Sequence, residues 1–126
     1  MKIDCPFCYN NIKERIVDEL NSVVAIPDKY PVADGHLLII PKRHIENYFS
    51  MNKTERKDTE NLIIILKDGI VESDSSVTGF NIGTNIGKSA GQTVFHAHIH
   101  LIPRRDGDTL EPRGGVRGVI PGKMSY

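Results

Sequence analysis

The segment Ala90-Gly91-Gln92-Thr93-Val94-Phe95-His96-Ala97-His98-Ile99-His100-Leu101-Ile102-Pro103 holds three of the five histidines in the chain, at alternate positions. Side chains two residues apart in a β-strand lie on the same face. The spacing therefore predicts a strand with His96, His98 and His100 on one face and apolar side chains on the other. The Gly-Gln-Thr sequence before the histidines offers backbone N–H donors and a hydroxyl to an anion.

Length, charge and hydropathy restrict the class of protein. The 126 residues predict a single domain, 1–126, that is large enough to bury a modest core. Sixteen basic residues balance sixteen acidic ones, which gives no support for nucleic-acid or membrane-surface binding. No apolar run approaches the roughly 20 residues of a membrane span, and residues 1–4 lack the apolar stretch of a signal peptide. We therefore expect a cytoplasmic protein.

The pattern along the chain predicts an α+β fold, an antiparallel sheet with one main helix. Two short runs, 13–17 and 21–26, predict a hairpin, although some of their apolar residues also fit a helix. The continuous apolar run 35–41 predicts a central strand that is buried on both faces. The alternating run 79–85 predicts another strand.

The main helix is predicted over 52–72. Asn52 and Glu55 resemble a capping box at its start, and apolar residues recur at helical spacing after them. Two further isoleucines, Ile63 and Ile64, widen the apolar side, so we expect the helix to be well covered. The region after Pro103 is glycine-rich and contains four arginines, which suit either phosphate contacts or a solvated terminus: Arg104, Arg105, Arg113 and Arg117.

The histidine row has three interpretations from its residues alone. It can be a histidine-rich polar face without further function, or two alternate histidines can share a zinc ion. It can also supply a nucleophile, because neutral imidazole is nucleophilic near pH 7 and neighbouring groups can fix its tautomer. Phosphoryl chemistry needs hydrogen-bond donors for the non-bridging oxygens, and the Gly-Gln-Thr lead-in can supply them. The local sequence favours the nucleophile without excluding the metal.

Both cysteines lie in Cys5-Pro6-Phe7-Cys8. In a reducing compartment this spacing indicates metal binding or redox chemistry. Redox motifs of this kind normally follow a β-strand, and only four residues precede Cys5, too few for that strand. Metal binding is therefore favoured, but two cysteines alone do not complete a closed tetrahedral site.

The segment 91–102 resembles the histidine triad family, whose pattern is His-φ-His-φ-His-φ-φ, where φ is apolar. The likeness extends to 28–32, 35–36, 40–44 and 112–117, so nearly the whole chain is covered. The resemblance implies a hydrolase or transferase acting on nucleotides. His98 would attack the α-phosphorus to give a nucleotidyl-histidine intermediate, and His100 would orient His98 and contact the phosphate. The remaining substrate contacts that the resemblance implies are Gly91, Gln92, Thr93 and Asn85 on phosphate and Asp28 on the ribose hydroxyls.

The resemblance also implies a cofactor and partners. In zinc-bearing branches of the superfamily the metal ligands correspond to Cys5, Cys8, His44 and His96, which would form a closed, structural zinc site. His36 matches a family position near the triad, where it is either a supporting residue or a structural histidine. The family further implies a purine nucleotide substrate and a homodimer.

The choice of leaving group remains open. Thr93 replaces the serine of phosphoramidase-type members, and the Gln-Thr-Val form is closer to the diadenosine polyphosphate hydrolase-like branch. We therefore expect cleavage of dinucleoside polyphosphates. The alternatives are a purine nucleoside phosphoramidase that uses the same residues, and a nucleotide-binding adaptor with little turnover.

Overall fold

The computed structural model describes residues 5–126. Within that range the chain forms five strands in one antiparallel sheet, in the order β1-β2-β3-β5-β4, and one long helix. The predicted α+β fold is confirmed. The strands are β1 (Asp18–Leu20), β2 (Val23–Pro27), β3 (Leu37–Pro41), β4 (Val77–Gly83) and β5 (Ile99–Arg105), and the helices are α1 (Tyr9–Ile12) and α2 (Lys53–Ser73). Short 3₁₀ helices cover Lys13–Arg15, Tyr48–Ser50, Lys88–Ala90 and Gly115–Val119.

Strand β3 lies at the centre of the sheet, as its apolar sequence predicts. Leu38 and Ile40 pack on one face with residues of β2 and α1, whereas Ile39 packs on the other face with Leu62 of α2 and Leu101 of β5. Each face of β3 is therefore covered by apolar side chains. This central position pairs Leu38 of β3 with His100 of β5.

Helix α2 begins at the predicted capping box. The Asn52 side chain accepts a hydrogen bond from the Glu55 amide at 2.8 Å, and the Glu55 carboxylate accepts one from the Asn52 amide at 2.9 Å. Leu62 is fully buried against the sheet, but Ile64 and Ile65 are 48% and 50% exposed, so the expectation that the helix is well covered was wrong. At 3.6 residues per turn these two side chains point away from the row that faces the sheet.

The first hairpin differs from its predicted boundaries. Residues 13–17 do not form a strand, and β1 starts at Asp18 and turns at Asn21 and Ser22 into β2. Asn21 has a φ of 51°, a left-handed conformation that asparagine tolerates better than most residues. The buried Asp58 of α2 accepts hydrogen bonds from the Ser22 amide and hydroxyl at 3.1 and 2.6 Å, which fixes the turn on the helix.

The histidine strand is shorter than predicted, since β5 begins only at Ile99. Before Ile99 the chain leaves the sheet, and the Ala97 amide donates to the Ile45 carbonyl at 2.7 Å instead. At the other end β5 includes Arg104 and Arg105, so these residues belong to the sheet rather than to a tail. No helix within residues 5–126 combines the length and the apolar character that crossing a bilayer requires.

The capping box generates a stability prediction. Asn52→Ala removes the side-chain acceptor for the Glu55 amide, so we expect the free energy of unfolding in urea to fall by about 1 kcal/mol. The matched control is Lys53→Ala, which changes the adjacent exposed residue and should alter the free energy by less than about 0.5 kcal/mol. Equal losses from the two variants would contradict the capping role.

Candidate functional site

His98 has a defined tautomer. Its side chain is 9% exposed, and its Nδ1 donates a hydrogen bond to the backbone carbonyl of His96 at 2.8 Å. Because Nδ1 holds the proton, Nε2 carries the lone pair in the neutral ring. Burial lowers the pKa of His98 below its ordinary value and outweighs the opposing effects of the His96 carbonyl and the Asp28 charge. His98 therefore presents an unprotonated nitrogen near neutral pH.

A second chain of hydrogen bonds fixes the tautomer of His100. The Val32 amide donates to Nδ1 of His36 at 3.1 Å, so the neutral His36 ring carries its proton on Nε2. That nitrogen lies 2.9 Å from Nδ1 of His100, which must then be the acceptor. His100 consequently carries its own proton on Nε2. Its ring centroid is 5.5 Å from that of His98. The Nε2 lone pair of His98 and the Nε2–H donor of His100 therefore belong to neighbouring rings.

Asp28 lies against this histidine pair. Its Oδ2 is 3.3 Å from Nε2 of His36 and 3.8 Å from Nδ1 of His100, and its Oδ1 accepts from the Tyr30 amide at 2.8 Å. The three side chains are close enough to hold a cation. However, the proton on Nε2 of His36 occupies the position of the lone pair that a metal would need. We therefore interpret the group as a hydrogen-bonded cluster that orients His100.

The loop before the histidines is held by Gln92, which is only 3% exposed. Its side-chain oxygen accepts from the Gly87 amide at 2.8 Å, and its side-chain nitrogen donates to the Glu46 carbonyl at 2.7 Å. The backbone amides that the sequence associates with phosphate are also paired within the loop, since the Gln92 amide donates to the Gly87 carbonyl at 3.1 Å and the Gly91 amide donates to the Lys88 carbonyl at 3.0 Å. Thr93, the next residue, is exposed.

The other predicted phosphate-contacting residues converge on this loop. Gly91 has a φ of 92°, and a Cβ at that position would lie 4.0 Å from Nδ2 of Asn85. Next to Asn85, the Thr84 hydroxyl donates to the His98 carbonyl at 2.7 Å and connects the end of β4 to the histidines. Asn85 and His100 also line one cavity of about 890 Å³. Asn85 thus lies close to Gly91 and shares a cavity with His100.

The four predicted metal ligands also come together. Nδ1 of His96 lies 3.4 Å from Sγ of Cys5, 3.9 Å from Sγ of Cys8 and 3.2 Å from Nδ1 of His44. In a tetrahedral zinc site such atoms are separated by about 3.3 to 3.8 Å, given metal–ligand bonds of about 2.0 to 2.3 Å. Nε2 of His96 donates to the Pro41 carbonyl at 2.8 Å, which leaves the Nδ1 lone pair for a metal. The donor set therefore fits zinc.

Phe7 is a site residue that the sequence reasoning missed. Its ring meets the ring of His98 edge to face, with centroids 4.8 Å apart. The sequence could have predicted this position of Phe7, because Phe7 lies between the two cysteines. If Cys5 and Cys8 share a metal with His96, the residue between them must lie near the rest of the triad. The Val32 amide, in contrast, has no signal in the sequence.

The arginines of β5 are paired with carboxylates. Arg104 makes two bonds to Asp108, at 2.8 and 2.7 Å, and a third to the Asn81 side chain at 2.7 Å. Arg105 pairs with Asp74 at 2.9 Å. The Arg104 pair keeps the pKa of Asp108 well below its usual range, and the pKa of Asp74 falls to about 2, chiefly through the Ser76 hydroxyl and then through Arg105. Neither guanidinium is left to attract further phosphate groups.

The histidine pair generates a prediction about pH. Burial lowers the pKa of both His36 and His100. We therefore expect both rings to titrate below the ordinary value of about 6.5 in the folded protein, when followed by ¹H–¹⁵N NMR. Nε2 should be the protonated nitrogen in each neutral ring.

The lowered pKa values of His36 and His100 also make the stability of the protein depend on pH. Below about pH 6.5 the unfolded chain binds more protons at these histidines than the folded chain, so the melting temperature should fall between about pH 7 and about pH 5.5. His36→Gln removes one of the groups and should reduce that fall. A titration midpoint at or above the ordinary value would contradict the buried, neutral pair.

Comparison with known proteins matches residues 9–107 to the HIT domain family. A HIT-like protein of Saccharolobus solfataricus is 38% identical over 109 residues, which are 79% of this chain and 73% of that protein. The crystal structure of a zinc-bound histidine triad family protein from Mycobacterium smegmatis is 32% identical, with a TM-score of 0.76 over 86% of this chain and 81% of that one.

A relative from Arabidopsis thaliana is named an adenylylsulfatase. It is 34% identical over 113 residues, which are 85% of this chain and 55% of that protein. The matched family model covers the histidine row, the central strand and the long helix. The chain therefore belongs to the histidine triad (HIT) family.

Proposed function

We propose that the protein is a nucleotide hydrolase or transferase that cleaves at the α-phosphate of dinucleoside polyphosphates or related nucleotide conjugates. The observation that carries this proposal is the bond from Nδ1 of His98 to the His96 carbonyl at 2.8 Å. It leaves Nε2 unprotonated, and burial lowers the pKa of the ring, so the ring remains a neutral nucleophile at physiological pH. The adenylylsulfatase name of the Arabidopsis relative supports a nucleotide conjugate as substrate.

The reaction would proceed in two displacements at phosphorus. In the first, the Nε2 lone pair of His98 forms a bond to the α-phosphorus, and the bond to the leaving group breaks with its electron pair. The leaving group takes up a proton from water. In the second, a water oxygen attacks phosphorus, the P–N bond returns its electron pair to His98, and the water proton passes to solvent.

The surrounding residues would stabilise negative charge on the phosphate. Nε2–H of His100 is oriented as a donor by the His36 chain, and it lies beside His98. The Thr93 hydroxyl and the Asn85 side-chain amide are the further donors in our proposal, because the Gly91 and Gln92 amides already donate to the Lys88 and Gly87 carbonyls. Asp28 would accept hydrogen bonds from the ribose hydroxyls of a purine nucleotide.

A second candidate is a purine nucleoside phosphoramidase that breaks a P–N bond with the same residues. The salt bridges of Arg104 and Arg105 favour it, because neither guanidinium is available for a second nucleotide with its phosphates. The third candidate, an adaptor that binds nucleotide with little turnover, requires the same site without an adduct on His98. Trapping that adduct separates the adaptor from both enzymes.

We also propose that Cys5, Cys8, His44 and His96 hold a structural zinc ion. Four of the separations between their ligand atoms are 3.2 to 3.9 Å, and all of these atoms lie within 4.8 Å of one another, which supports this assignment together with the zinc-bound relative from Mycobacterium smegmatis. Four protein ligands leave no open position for a reacting water. When bound, zinc would join the N-terminal segment to the residue that orients His98, and the protein's own side chains would carry the chemistry.

The proposed assembly is a homodimer. The half-exposed apolar side chains of Ile64, Ile65 and Val71 on α2 support it, because they offer apolar surface that a second copy could bury. The homodimer stays a prediction that sedimentation of the purified protein can check.

The nucleophile is tested with His98→Ala. Without Nε2 no nucleotidyl adduct can form, so we expect kcat/KM for a diadenosine polyphosphate to fall by at least about a thousandfold. Quenching in alkaline denaturant, which preserves a P–N bond to histidine, should trap label from an α-phosphorus-labelled substrate on the wild-type protein and none on the variant. Undiminished turnover by a folded, metal-loaded His98→Ala protein would exclude the mechanism.

The zinc assignment is tested by elemental analysis of protein purified under reducing conditions without chelators. We expect about one zinc ion per chain, since the four ligands form one site. Cys8→Ser should lose most of the metal and unfold at a lower temperature. His36→Gln changes a histidine outside the cluster and should retain the metal. Wild-type protein without zinc would refute the assignment.

A further inference from the structure

Residues 84–95 connect β4 to the histidines, and we call them loop 84–95. The loop carries Asn85 and Thr93, the side chains of which are proposed phosphate donors. Some of its hydrogen bonds are local, such as the bond from the Ala90 amide to the Gly87 carbonyl at 3.1 Å. A local bond shapes a turn but does not fix the loop relative to the rest of the protein. The position of the two donors therefore depends on contacts of longer range.

The side chain of Gln92 connects loop 84–95 to a distant part of the chain. Its nitrogen donates to the Glu46 carbonyl at 2.7 Å and to the Val94 carbonyl at 3.1 Å. Glu46 lies between β3 and α2, and the carbonyl of its neighbour Ile45 accepts from the Ala97 amide at 2.7 Å. Residues 45–46 therefore hold both the loop and the histidine segment that follows it.

Gln92 also closes the loop on itself. Its side-chain oxygen accepts from the Gly87 amide at 2.8 Å, and its backbone amide donates to the Gly87 carbonyl at 3.1 Å. A primary amide has two N–H donors, and those of Gln92 are used by Glu46 and Val94. The buried side chain therefore has no donor left for a phosphate oxygen.

These contacts require an amide at position 92. Two carbonyl oxygens face the side-chain nitrogen of Gln92, and one N–H group faces its oxygen. A glutamate of the same shape would have no hydrogens on its carboxylate and would bring negative charge against two carbonyl oxygens. A methionine of similar length would leave the buried backbone groups unpaired, which costs free energy at each of them. Both substitutions therefore release the loop while nearly keeping the size of the side chain.

The two proposed donors lie on either side of this anchor. Thr93 follows Gln92 directly and is exposed. Asn85 lies at the other end of the loop, where the neighbouring Thr84 hydroxyl donates to the His98 carbonyl at 2.7 Å. Donors stabilise a developing charge best when they are held in place before the reaction begins. The hydrogen bonds of Gln92 supply that restraint for the loop.

We propose that Gln92 is a positioning residue, which holds loop 84–95 on the Glu46 carbonyl and thereby fixes the Thr93 hydroxyl and the Asn85 amide for the phosphoryl group. Gln92 then acts through its neighbours and does not touch phosphate, in contrast to the contact that the family resemblance implies. This inference rests on the proposed function and deepens the account of that site.

The first experiment uses the wild-type protein and needs no turnover. Gln92 is the one glutamine of the sequence, so its side-chain amide is identified directly by ¹H–¹⁵N NMR. We expect its two N–H protons to exchange slowly with water and to shift little when adenosine 5′-monophosphate is added, while the Thr93 backbone amide shifts. A large shift of the Gln92 side-chain protons would show a direct phosphate contact and overturn the proposal.

The second experiment measures binding to variants by calorimetry. Gln92→Met and Gln92→Glu should weaken binding of adenosine 5′-monophosphate by about tenfold and change that of adenosine, which lacks phosphate, by less than about twofold. The matched control is Asn47→Ala, which removes a side-chain bond to the Phe49 amide in the connection that contains Glu46. It should leave both affinities within about twofold. Equal weakening of the two ligands by the Gln92 variants would contradict the positioning role.

The third experiment is a double-mutant cycle with Thr93→Ala, followed by kcat on a diadenosine polyphosphate. Gln92→Met should lower kcat by about tenfold when Thr93 is present and by at most about threefold when it is already alanine. A residue that only stabilises the fold would give the same factor in both backgrounds. That result, with label still trapped on His98, would overturn the proposal and leave the mechanism intact. Absence of an adduct on the wild-type protein would refute the proposed function, while the NMR and binding experiments would still decide the role of Gln92.

Discussion

The end of the pairing between β3 and β5 determines the geometry of the site. Proline at position 41 has no amide hydrogen to give to β5, and its carbonyl accepts from the ring of His96 at 2.8 Å. The pairing therefore includes only three residue pairs, from Leu37 with Leu101 to Ile39 with Ile99. Beyond Ile99 the chain is free of the sheet, and its histidines can point to different partners. A continuous strand would have kept all three in one row.

Two backbone groups then give neighbouring imidazoles opposite hydrogen-bonding character. The His96 carbonyl takes the Nδ1 proton of His98, which exposes a lone pair on the far nitrogen. The Val32 amide acts through His36 and leaves the far nitrogen of His100 protonated. The proposed phosphoryl transfer needs a nucleophile and a hydrogen-bond donor at adjacent positions, and histidine would supply both. Burial lowers the pKa of each ring, which protects this arrangement from protonation near neutral pH.

Local patterns in the sequence predicted much of this architecture. The central strand, the capping box at Asn52 and the grouping of the four metal-ligand candidates depend on spacing or on a family motif, and the structure contains each of them. The features that the sequence did not predict involve contacts between distant segments of the chain. The sequence leaves Arg104 and Arg105 open to phosphate contacts or to a solvated terminus, because their partners, Asp108 and Asp74, cannot be identified from spacing. The C-terminal residues Val116, Val119 and Met124 line the cavity beside His100, and the close approach of Gly114 to the Met124 carbonyl, which helps to place them, cannot be predicted from local sequence.

His96 takes part in three interactions at once, and this constrains how such a site can evolve. Its ring bonds to Pro41, its carbonyl bonds to His98, and its remaining nitrogen faces the two cysteines. Only the last interaction would involve the proposed zinc ion. Loss of Cys5 and Cys8 would therefore leave the backbone carbonyl that orients His98 in place, whereas substitution of His96 would remove both interactions of its ring. His96 is thus a proposed zinc ligand whose side chain also has a structural bond that does not depend on the metal.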